Sequence, residues 1–273
     1  MADIKDIKVF IKGAGDIASG VAYRLYKAGL QIAMSELDEP VMVRRAVSFA
    51  EAIYRGSWTV EGVKAVYAGD RDEFFAIIAG NKIPVITTAI YPEIITAYNP
   101  DVIVDGRMMK EPADTTRGEA GIVIGLGPGF TAGDNVDAVI ETFRGHYLGR
   151  AIYRGTAIAD TGIPGKIRGY GGERVVYAPA NGKFSSDKHI GDKIKKGEIF
   201  GKTGDKYVKA RIDGVIRGQI HPGYKVKKNM KIGDIDPRAE KDYCFKIAEK
   251  ALAISGGVLE AVLHIANKDK GDL

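Results

Sequence analysis

Hydrophobic and polar positions follow two different periods through the first 105 residues of the chain. Short apolar runs such as Val9-Phe10-Ile11 predict buried strands, whereas apolar positions three or four residues apart, as in 17–25, predict helices packed on a sheet. Strands that alternate with helices over short connections indicate an α/β fold with a doubly wound parallel sheet. The predicted strands cover 8–12, 31–36, 63–67, 83–87 and 101–105, and the predicted helices cover 16–28, 40–54 and 70–79.

The first predicted strand ends in a glycine-rich turn, Gly13-Ala14-Gly15-Asp16-Ile17-Ala18, that opens the first helix. The two glycines leave the backbone bare to a phosphate, and Ala18 lets helix and strand pack closely. The amide groups and the positive dipole end of the helix favour an anion at the same place. Glu36 ends the second strand about 20 residues later, where a dinucleotide-binding unit holds the acid that accepts ribose hydroxyls. A Rossmann-like unit with a nucleotide ligand is predicted; a tight turn kept for packing alone is the alternative.

Other polar positions follow predicted strands and are expected to line the same crevice, because ligands of such sheets bind at the carboxyl ends of strands. Thr87-Thr88 and Asp105-Gly106-Arg107 occupy such positions. Asp105 is a candidate catalytic residue that would hold a ribose or a magnesium ion. Arg44 and Arg45 open the predicted helix 40–54 and face either the crevice, as phosphate ligands, or solvent.

A second glycine-rich loop follows a predicted strand that ends near 124. If a helix begins near Val136, this loop is another anion cradle; if Val139-Ile140 pairs with Ile152-Tyr153 in a hairpin, its glycines only permit positive φ angles. The candidate cofactor-binding residues of the loop are Gly125, Gly127, Gly129 and Phe130.

Two candidates follow that loop in the sequence. Arg144 is a candidate phosphate ligand, and His146 is a candidate catalytic residue because an imidazole beside a bound anion would titrate near neutral pH. The other histidines are scattered, and no His/Cys cluster has the spacing of metal ligands, so no metal site is expected.

The C-terminal half contains an internal repeat at an offset of 32 residues. Gly191-x-x-Ile194-Lys195-Lys196 matches Gly223-x-x-Val226-Lys227-Lys228, and Gly201 matches Gly233. Each copy is a small β unit that cannot cover its own apolar face, so two copies are expected to pack about a pseudo-twofold axis. The pattern resembles the biotinyl/lipoyl-like hammerhead, or barrel-sandwich. The predicted domains are therefore 1–150, nucleotide-binding, and 151–273, β-rich with a terminal helix near 238–254.

Composition limits the compartment and the partners. No apolar run approaches the roughly 20 residues of a membrane span, and the first residues do not form a signal peptide. Cys244 is the only cysteine among 273 residues, so an internal disulfide is excluded and a reducing cytoplasm is expected. Residues 151–273 carry 24 lysines and arginines against 15 acids, but aromatic residues rarely separate them, so nucleic acid is not an expected partner.

Six motifs occur in order along the chain: Gly13–Gly20, Pro40–Phe49, Ile124–Phe130, Glu141–Arg150, Asp160–Gly165 and Ile232–Arg238. With them the chain resembles the accessory (maturation) proteins of selenium-dependent molybdenum hydroxylases. Its N-terminal part also resembles the Rossmann portion of xanthine dehydrogenase accessory proteins. The stretch Asp105–Pro112 departs from the pattern, since another small residue and an asparagine are expected there.

The resemblance implies help in maturing a molybdenum hydroxylase, with the apoenzyme or other maturation proteins as partners. It also implies a nucleotide-bearing cofactor, NAD(H) or a molybdopterin dinucleotide, whose polyanionic charge suits two glycine loops together with Arg44, Arg45 and Arg144. An NAD- or FAD-dependent oxidoreductase is the alternative. That function requires a proton donor near the nicotinamide, and no Tyr-x-x-x-Lys or His-Asp pair supplies one. Glu36 would repel a 2′-phosphate, which disfavours NADP.

Overall fold

The computed structural model of the protein describes residues 6–109 and 114–268. The chain forms two compact units. Unit 1 comprises Met1–Pro40, Phe49–Asp160 and Ile247–Leu273, and unit 2 comprises Val41–Ser48 and Thr161–Lys246. The predicted division at residue 150 is thereby corrected: residues 41–48 belong to the β-rich unit, and the C-terminal helix does not.

The helices and strands of unit 1 within the described residues are β1 (Lys8–Lys12), α1 (Asp16–Lys27), β2 (Gln31–Glu36), α2 (Glu51–Arg55), β3 (Ser57–Val60), β4 (Val63–Tyr67), α3 (Arg71–Ala79), β5 (Ile83–Thr87), α4 (Tyr91–Tyr98), β6 (Val102–Asp105), β7 (Ile122–Leu126), β8 (Thr131–Ala132), β9 (Ala138–Ile140), β10 (Ala151–Ile152), β11 (Gly155–Thr156) and, at the C-terminal end, α5 (Glu249–Lys268). Strands β8 and β11 form a separate antiparallel pair.

A nine-stranded sheet with the order β10-β9-β7-β6-β1-β2-β5-β4-β3 forms the centre of unit 1. Its seven inner strands are parallel, and only β10 and β3 at the two edges run antiparallel to their neighbours. In the core on one face of the sheet, Phe10 of β1 packs edge-on against Tyr98 of α4, which packs edge-on against Phe74 of α3. The predicted α/β fold with a parallel sheet is confirmed. The carboxyl ends of β1, β2, β6, β7 and β9 lie along one edge.

The predicted helix over 40–54 is wrong. Residues Arg45–Val47 form a 3-10 turn, and α2 begins only at Glu51. The chain after Pro40 leaves unit 1 and adds to unit 2, where the Gln219 amide donates a hydrogen bond to the Val43 carbonyl oxygen (2.7 Å). Helix α4 was not predicted because Pro92 resembles a helix breaker; it occupies the first turn, where no intrahelical hydrogen bond is lost.

The predicted terminal helix also differs from the observed one. Lys241–Cys244 form a 3-10 turn in unit 2, with Cys244 buried, and burial raises the pKa of the Cys244 thiol. Helix α5 starts later and packs on α1 in unit 1, where a Cβ placed on Gly20 would lie 2.7 Å from the Ala251 Cβ. Among the described residues, no helix combines the length and the apolar character needed to cross a membrane.

The strands of unit 2 are β12 (Val175–Tyr177), β13 (Gly182–Ser185), β14 (Lys193–Ile194), β15 (Ile199–Thr203), β16 (Lys206–Lys209), β17 (Gly214–Gln219), β18 (Lys225–Val226) and β19 (Lys231–Asp236). They form two four-stranded antiparallel sheets, β12-β19-β17-β14 and β16-β15-β13-β18. Each strand of the first sheet has its equivalent at the same place in the second sheet, 32 residues later for β12 and β14 and 32 residues earlier for β19 and β17. Each sheet therefore takes strands from both copies of the repeat.

Hydrogen bonds repeat with the same offset. The Lys196 amide donates to the Asp213 carboxylate (2.7 Å), and its equivalent, the Lys228 amide, donates to the Asn181 side-chain oxygen (2.7 Å). Side chains from both sheets, including Phe184, Phe200 and Ile216, share one buried core. The sequence repeat is therefore also a structural repeat, in which the two copies exchange strands.

Candidate functional site

The first glycine turn lies at the carboxyl end of β1. Gly13 has φ +97°, and its amide donates a hydrogen bond to the Ser35 carbonyl oxygen (2.8 Å). A Cβ at Gly13 would lie 3.1 Å from the Arg107 amide nitrogen. Conformation and space therefore both require glycine, because positive φ is costly for residues with a Cβ. Ala18 packs equally closely, since a Cβ placed on Gly106 would lie 3.0 Å from the Ala18 Cβ.

Gly15 differs from Gly13, because the space beside it is open. It is the N-cap of α1 at φ −66° and ψ −178°, without a side-chain cap, and a Cβ placed on it would meet no atom within 4 Å. The Ser19 amide donates to the Gly15 carbonyl oxygen (2.8 Å), so the amides of Asp16, Ile17 and Ala18 precede the first intrahelical hydrogen bond. The backbone at the mouth of α1 is thus accessible to an anion.

Glu36 lies directly beside this turn, as its position at the end of the second predicted strand indicates. One carboxylate oxygen accepts a hydrogen bond from the Ala14 amide (2.9 Å), and the other accepts one from the Leu37 amide (2.9 Å). Each oxygen retains further acceptor capacity, since a carboxylate offers about four lone-pair positions. The carboxylate is therefore held at the carboxyl end of β2 in a fixed orientation and can still accept hydroxyl donors.

Asp105 ends β6 as expected, but its carboxylate is engaged. The side chain is 1% exposed, and it accepts hydrogen bonds from the Arg107 guanidinium (2.6 Å) and the Thr115 hydroxyl (2.7 Å). The hydrogen bond to Asp105 raises the pKa of Arg107 further above its ordinary value. This geometry favours a structural ion pair over a ribose or magnesium ligand. The Lys110-Glu111-Pro112 part of this motif lies outside the described residues.

The second glycine loop does not precede a helix. It leads through β8 to β9, which runs parallel to β7, and β9 pairs with β10 as the hairpin alternative predicts. A Cβ on Gly125 would overlap the Phe130 ring, which is buried in the core. Gly127 and Gly129 have φ +79° and +102°. These glycines thus serve packing and turn geometry, which corrects the expectation of a second anion cradle and of Phe130 as a ligand contact.

Arg44 and Arg45 belong to unit 2 and do not open a helix of unit 1. The Arg44 guanidinium donates to the carbonyl oxygens of Tyr243 (3.2 Å) and Lys246 (3.1 Å). The Arg45 guanidinium donates to the Gln219 carbonyl oxygen (2.7 Å). Both guanidinium groups thus bind backbone carbonyl groups of unit 2, and these hydrogen bonds stabilise the local structure of that unit.

Arg144 and His146 lie in an exposed loop of unit 1 that follows β9. Arg144 forms an ion pair with Glu249 at the start of α5 (2.5 Å), and the His146 ring contacts Tyr147 edge-on, with centroids 5.2 Å apart. Between residues 6 and 109 and between 114 and 268, no group of three or more His, Cys, Asp or Glu residues is arranged to hold a metal ion.

Lys250, which the sequence interpretation missed, lies close to the first glycine turn. Burial lowers the pKa of its ammonium group, and the Arg144 charge lowers it further, against opposing contributions from Asp16, Asp160 and Glu141. Asp16 is the first residue of α1, and Glu141 follows β9. Only the packing of α5 on α1 brings Lys250 to this edge of the sheet, so no local sequence signal marks it.

Replacing Lys250 by methionine is expected to stabilise the protein at neutral pH, because the half-buried charge is removed while the packing of the aliphatic chain is retained. The pKa of Lys250 is lower in the folded than in the unfolded chain. The charged ammonium group therefore destabilises the fold fully at pH values below the folded-state pKa, and this destabilisation disappears as pH rises towards the ordinary pKa of lysine. Urea unfolding of Lys250→Met and the unmodified chain at pH 7 and at alkaline pH measures this. The difference between their free energies of unfolding should shrink at alkaline pH. A difference that grows would contradict a lowered pKa of Lys250.

Comparison with known proteins gives one strong similarity. The chain is 42% identical over 260 residues to the uncharacterized protein YqeB of Escherichia coli strain K12, covering 95% of this chain and 48% of YqeB. The chain therefore spans about half the length of this curated relative. No family model matches the chain.

Solved structures resemble the chain only distantly. The E. coli tRNA N6-threonylcarbamoyladenosine dehydratase TcdA, solved in complex with AMP, is 12% identical, covers 97% of this chain and 89% of its own, and has a TM-score of 0.28. The product-bound ectoine utilization protein EutE (DoeB) of Ruegeria pomeroyi is 10% identical, covers 84% and 85%, and has a TM-score of 0.26. Similarity this low bears on neither fold nor function.

Proposed function

We propose that the protein binds a nucleotide-bearing cofactor at Gly13–Ala18 and acts as an accessory protein in the maturation of a selenium-dependent molybdenum hydroxylase. The open space beside Gly15, at the uncapped amino end of α1, is the observation that carries the binding part of this proposal. The maturation role rests on the six sequence motifs. The partner would be the hydroxylase apoenzyme or another maturation protein in the cytoplasm.

Glu36 supports a nucleotide rather than a simple anion. Its carboxylate is held beside the turn by the Ala14 and Leu37 amides, in the position from which ribose hydroxyls are bound. NAD(H) and a molybdopterin dinucleotide both combine ribose with pyrophosphate, and the negative charge of Glu36 disfavours a 2′-phosphate. Residues Gly13–Ala18 would bind the pyrophosphate through main-chain amides, and Glu36 would bind the ribose.

The strand exchange in unit 2 supports a barrel-sandwich of the biotinyl/lipoyl-like type. Both sheets draw on both copies of the repeat, and one buried core lies between them. Asp205 lies in the exposed turn between β15 and β16, and Lys206 is the first residue of β16. Lipoyl domains carry their modified lysine in a hairpin between the two copies, often in an Asp-Lys pair such as this one. We expect no attached group there, because this hairpin is shorter than a lipoyl hairpin and lacks the Met-Lys-Met sequence.

The accessory function is preferred to an NAD- or FAD-dependent oxidoreductase on chemical grounds. Hydride transfer from an alcohol needs a group that accepts or donates the proton. Of the two catalytic candidates, Asp105 is held in an ion pair with Arg107, and His146 lies exposed on the loop after β9. Neither arrangement provides a proton relay at the mouth of α1.

A thermal-shift comparison of NAD, FAD, ADP and molybdopterin cytosine dinucleotide tests the proposal. The full chain should be stabilised by molybdopterin cytosine dinucleotide and, through the shared pyrophosphate, less strongly by ADP. Stabilisation by NAD alone would favour the oxidoreductase. No shift with any of the four at saturating concentration would remove the binding proposal.

A further inference from the structure

The repeat in unit 2 presents the same lysine motif twice. The first lysine turn, Lys193-Ile194-Lys195-Lys196, and the second lysine turn, Lys225-Val226-Lys227-Lys228, are related by the 32-residue offset. In both turns the apolar residue is buried and the three lysines are exposed. One backbone geometry therefore displays two clusters of three ammonium groups.

The surroundings of the two turns differ in charge. The first lysine turn is bordered by carboxylates, because Asp213 accepts a hydrogen bond from the Lys196 amide (2.7 Å) and Glu198 accepts one from the Lys195 amide (3.2 Å). This amide holds the pKa of Glu198 below its usual range, so the carboxylate is ionised at neutral pH. A third acid, Asp192, directly precedes the turn. Glu198 also forms an ion pair with Lys188 (3.4 Å), so three carboxylates here face four ammonium groups.

Neutral residues replace all three acids around the second lysine turn. The positions equivalent to Asp213, Glu198 and Asp192 are occupied by Asn181, Met230 and Tyr224. Asn181 keeps the hydrogen bond to the turn, since its side-chain oxygen accepts from the Lys228 amide (2.7 Å). The turn geometry is therefore retained while its neutralising charges are lost.

Two further lysines add to the second cluster. Lys183 of β13 is the register partner of Lys225 of β18, so the two side chains lie on the same face of an antiparallel pair. Lys231 stands where the first copy has Ile199. Like charges directly opposite each other destabilise a sheet, so folding gains nothing from the Lys183–Lys225 pair.

The second cluster has no internal neutralisation. Among the residues that the structure describes, none of its ammonium groups forms an ion pair; they belong to Lys183, Lys225, Lys227, Lys228 and Lys231. Unit 2 as a whole carries 22 lysines and arginines against 10 acids in residues 41–48 and 161–246. A surface of this kind attracts a multiply charged anionic partner.

We propose that the second lysine turn, with Lys183 and Lys231, is a docking surface for an acidic segment of a partner protein. All five cations are lysines, which bind carboxylates as solvated point charges and lack the planar guanidinium suited to phosphate and nucleobases. Val226 separates Lys225 from Lys227, so no aromatic side chain alternates with the lysines within the turn itself; the exposed aromatic neighbour of the surface is Tyr177, the register partner of Lys231. The inference does not depend on the ligand bound at Gly13–Ala18.

Two matched variants of the full chain test this surface. One carries Lys225→Gln, Lys227→Gln and Lys228→Gln, and the other carries Lys193→Gln, Lys195→Gln and Lys196→Gln. Both remove three charges from equivalent turns. The probe is a short fluorescent poly-L-glutamate peptide, measured by anisotropy at low and physiological salt beside a DNA oligonucleotide of equal charge.

Loss of the three charges of the second lysine turn should weaken poly-L-glutamate binding about tenfold, whereas loss of the three charges of the first lysine turn should weaken it less than about twofold. Circular dichroism and thermal unfolding check that both variants fold, and Lys225→Gln alone should raise the unfolding temperature at low salt. Equal losses in both variants, or no binding by the unmodified chain, would overturn the proposal. If the oligonucleotide binds more tightly than poly-L-glutamate, and the second-turn variant loses that binding, the partner would be a nucleic acid and not an acidic protein.

Discussion

Gly257→Ala is expected to destabilise unit 1 by about 3 kcal/mol, the upper end of what overpacking a well-packed core costs. A Cβ at Gly257 would overlap the Gly149 carbonyl oxygen, a backbone atom that cannot move like the tip of a side chain, and would lie 3.0 Å from the Ile140 side chain. Helix α5 would have to move away from β9 and from the loop before β10. Loss of this packing would also displace Lys250.

The neighbouring glycine of the same helix is the matched control. A Cβ at Gly256 would meet only the Arg24 guanidinium at 4.0 Å, an ordinary contact. Gly256→Ala should therefore stabilise the protein by up to about 1 kcal/mol, because alanine has the higher helix propensity. Chemical unfolding of both variants measures the contrast. Similar free energies of unfolding for the two would contradict the observed docking of α5.

Gly15→Asp is expected to abolish nucleotide binding without loss of stability. The variant places a carboxylate in the space assigned to the pyrophosphate, and steric overlap with charge repulsion should lower affinity by about 100-fold or more. Folding should not suffer, because φ at Gly15 is −66° and the added side chain meets no atom within 4 Å. Aspartate is also a favoured N-cap, so the melting temperature should stay equal or rise.

Gly118→Asp provides the control for Gly15→Asp. Gly118 belongs to unit 1, is exposed, and also has no atom within 4 Å of an added Cβ. It adds the same charge at another exposed position of unit 1. Titration calorimetry with ADP should show normal affinity for Gly118→Asp and none for Gly15→Asp. If both variants bind as tightly as the unmodified chain, the ligand lies elsewhere.

Local patterns predicted the elements around the first glycine turn well. Strands β1 and β2 have the predicted bounds, and Glu36 lies beside the glycine turn, because a βαβ unit is determined by neighbours in sequence. The repeat in unit 2 was equally visible, since two copies of one β unit leave two copies of one pattern. Both features need only short-range information.

Long-range packing set the limits of prediction. The segment 41–48 joins unit 2 through backbone contacts with β17, and α5 returns to unit 1 after all of unit 2, so no pattern near either segment reveals its partner. Lys250 remained hidden for the same reason. The glycines at 125–129 suggested an anion site, because the sequence alone does not distinguish a glycine that makes room for the Phe130 ring from one that leaves room for a phosphate.

The most direct measurement is an NMR titration that observes the backbone amides of the full chain while molybdopterin cytosine dinucleotide or ADP is added. The largest shifts should appear at Gly15, Asp16, Ile17 and Ala18, with a smaller response at Glu36, and they should be absent in Gly15→Asp. Shifts confined to other parts of the chain, or unchanged spectra at saturating ligand, would contradict an anion site at the mouth of α1.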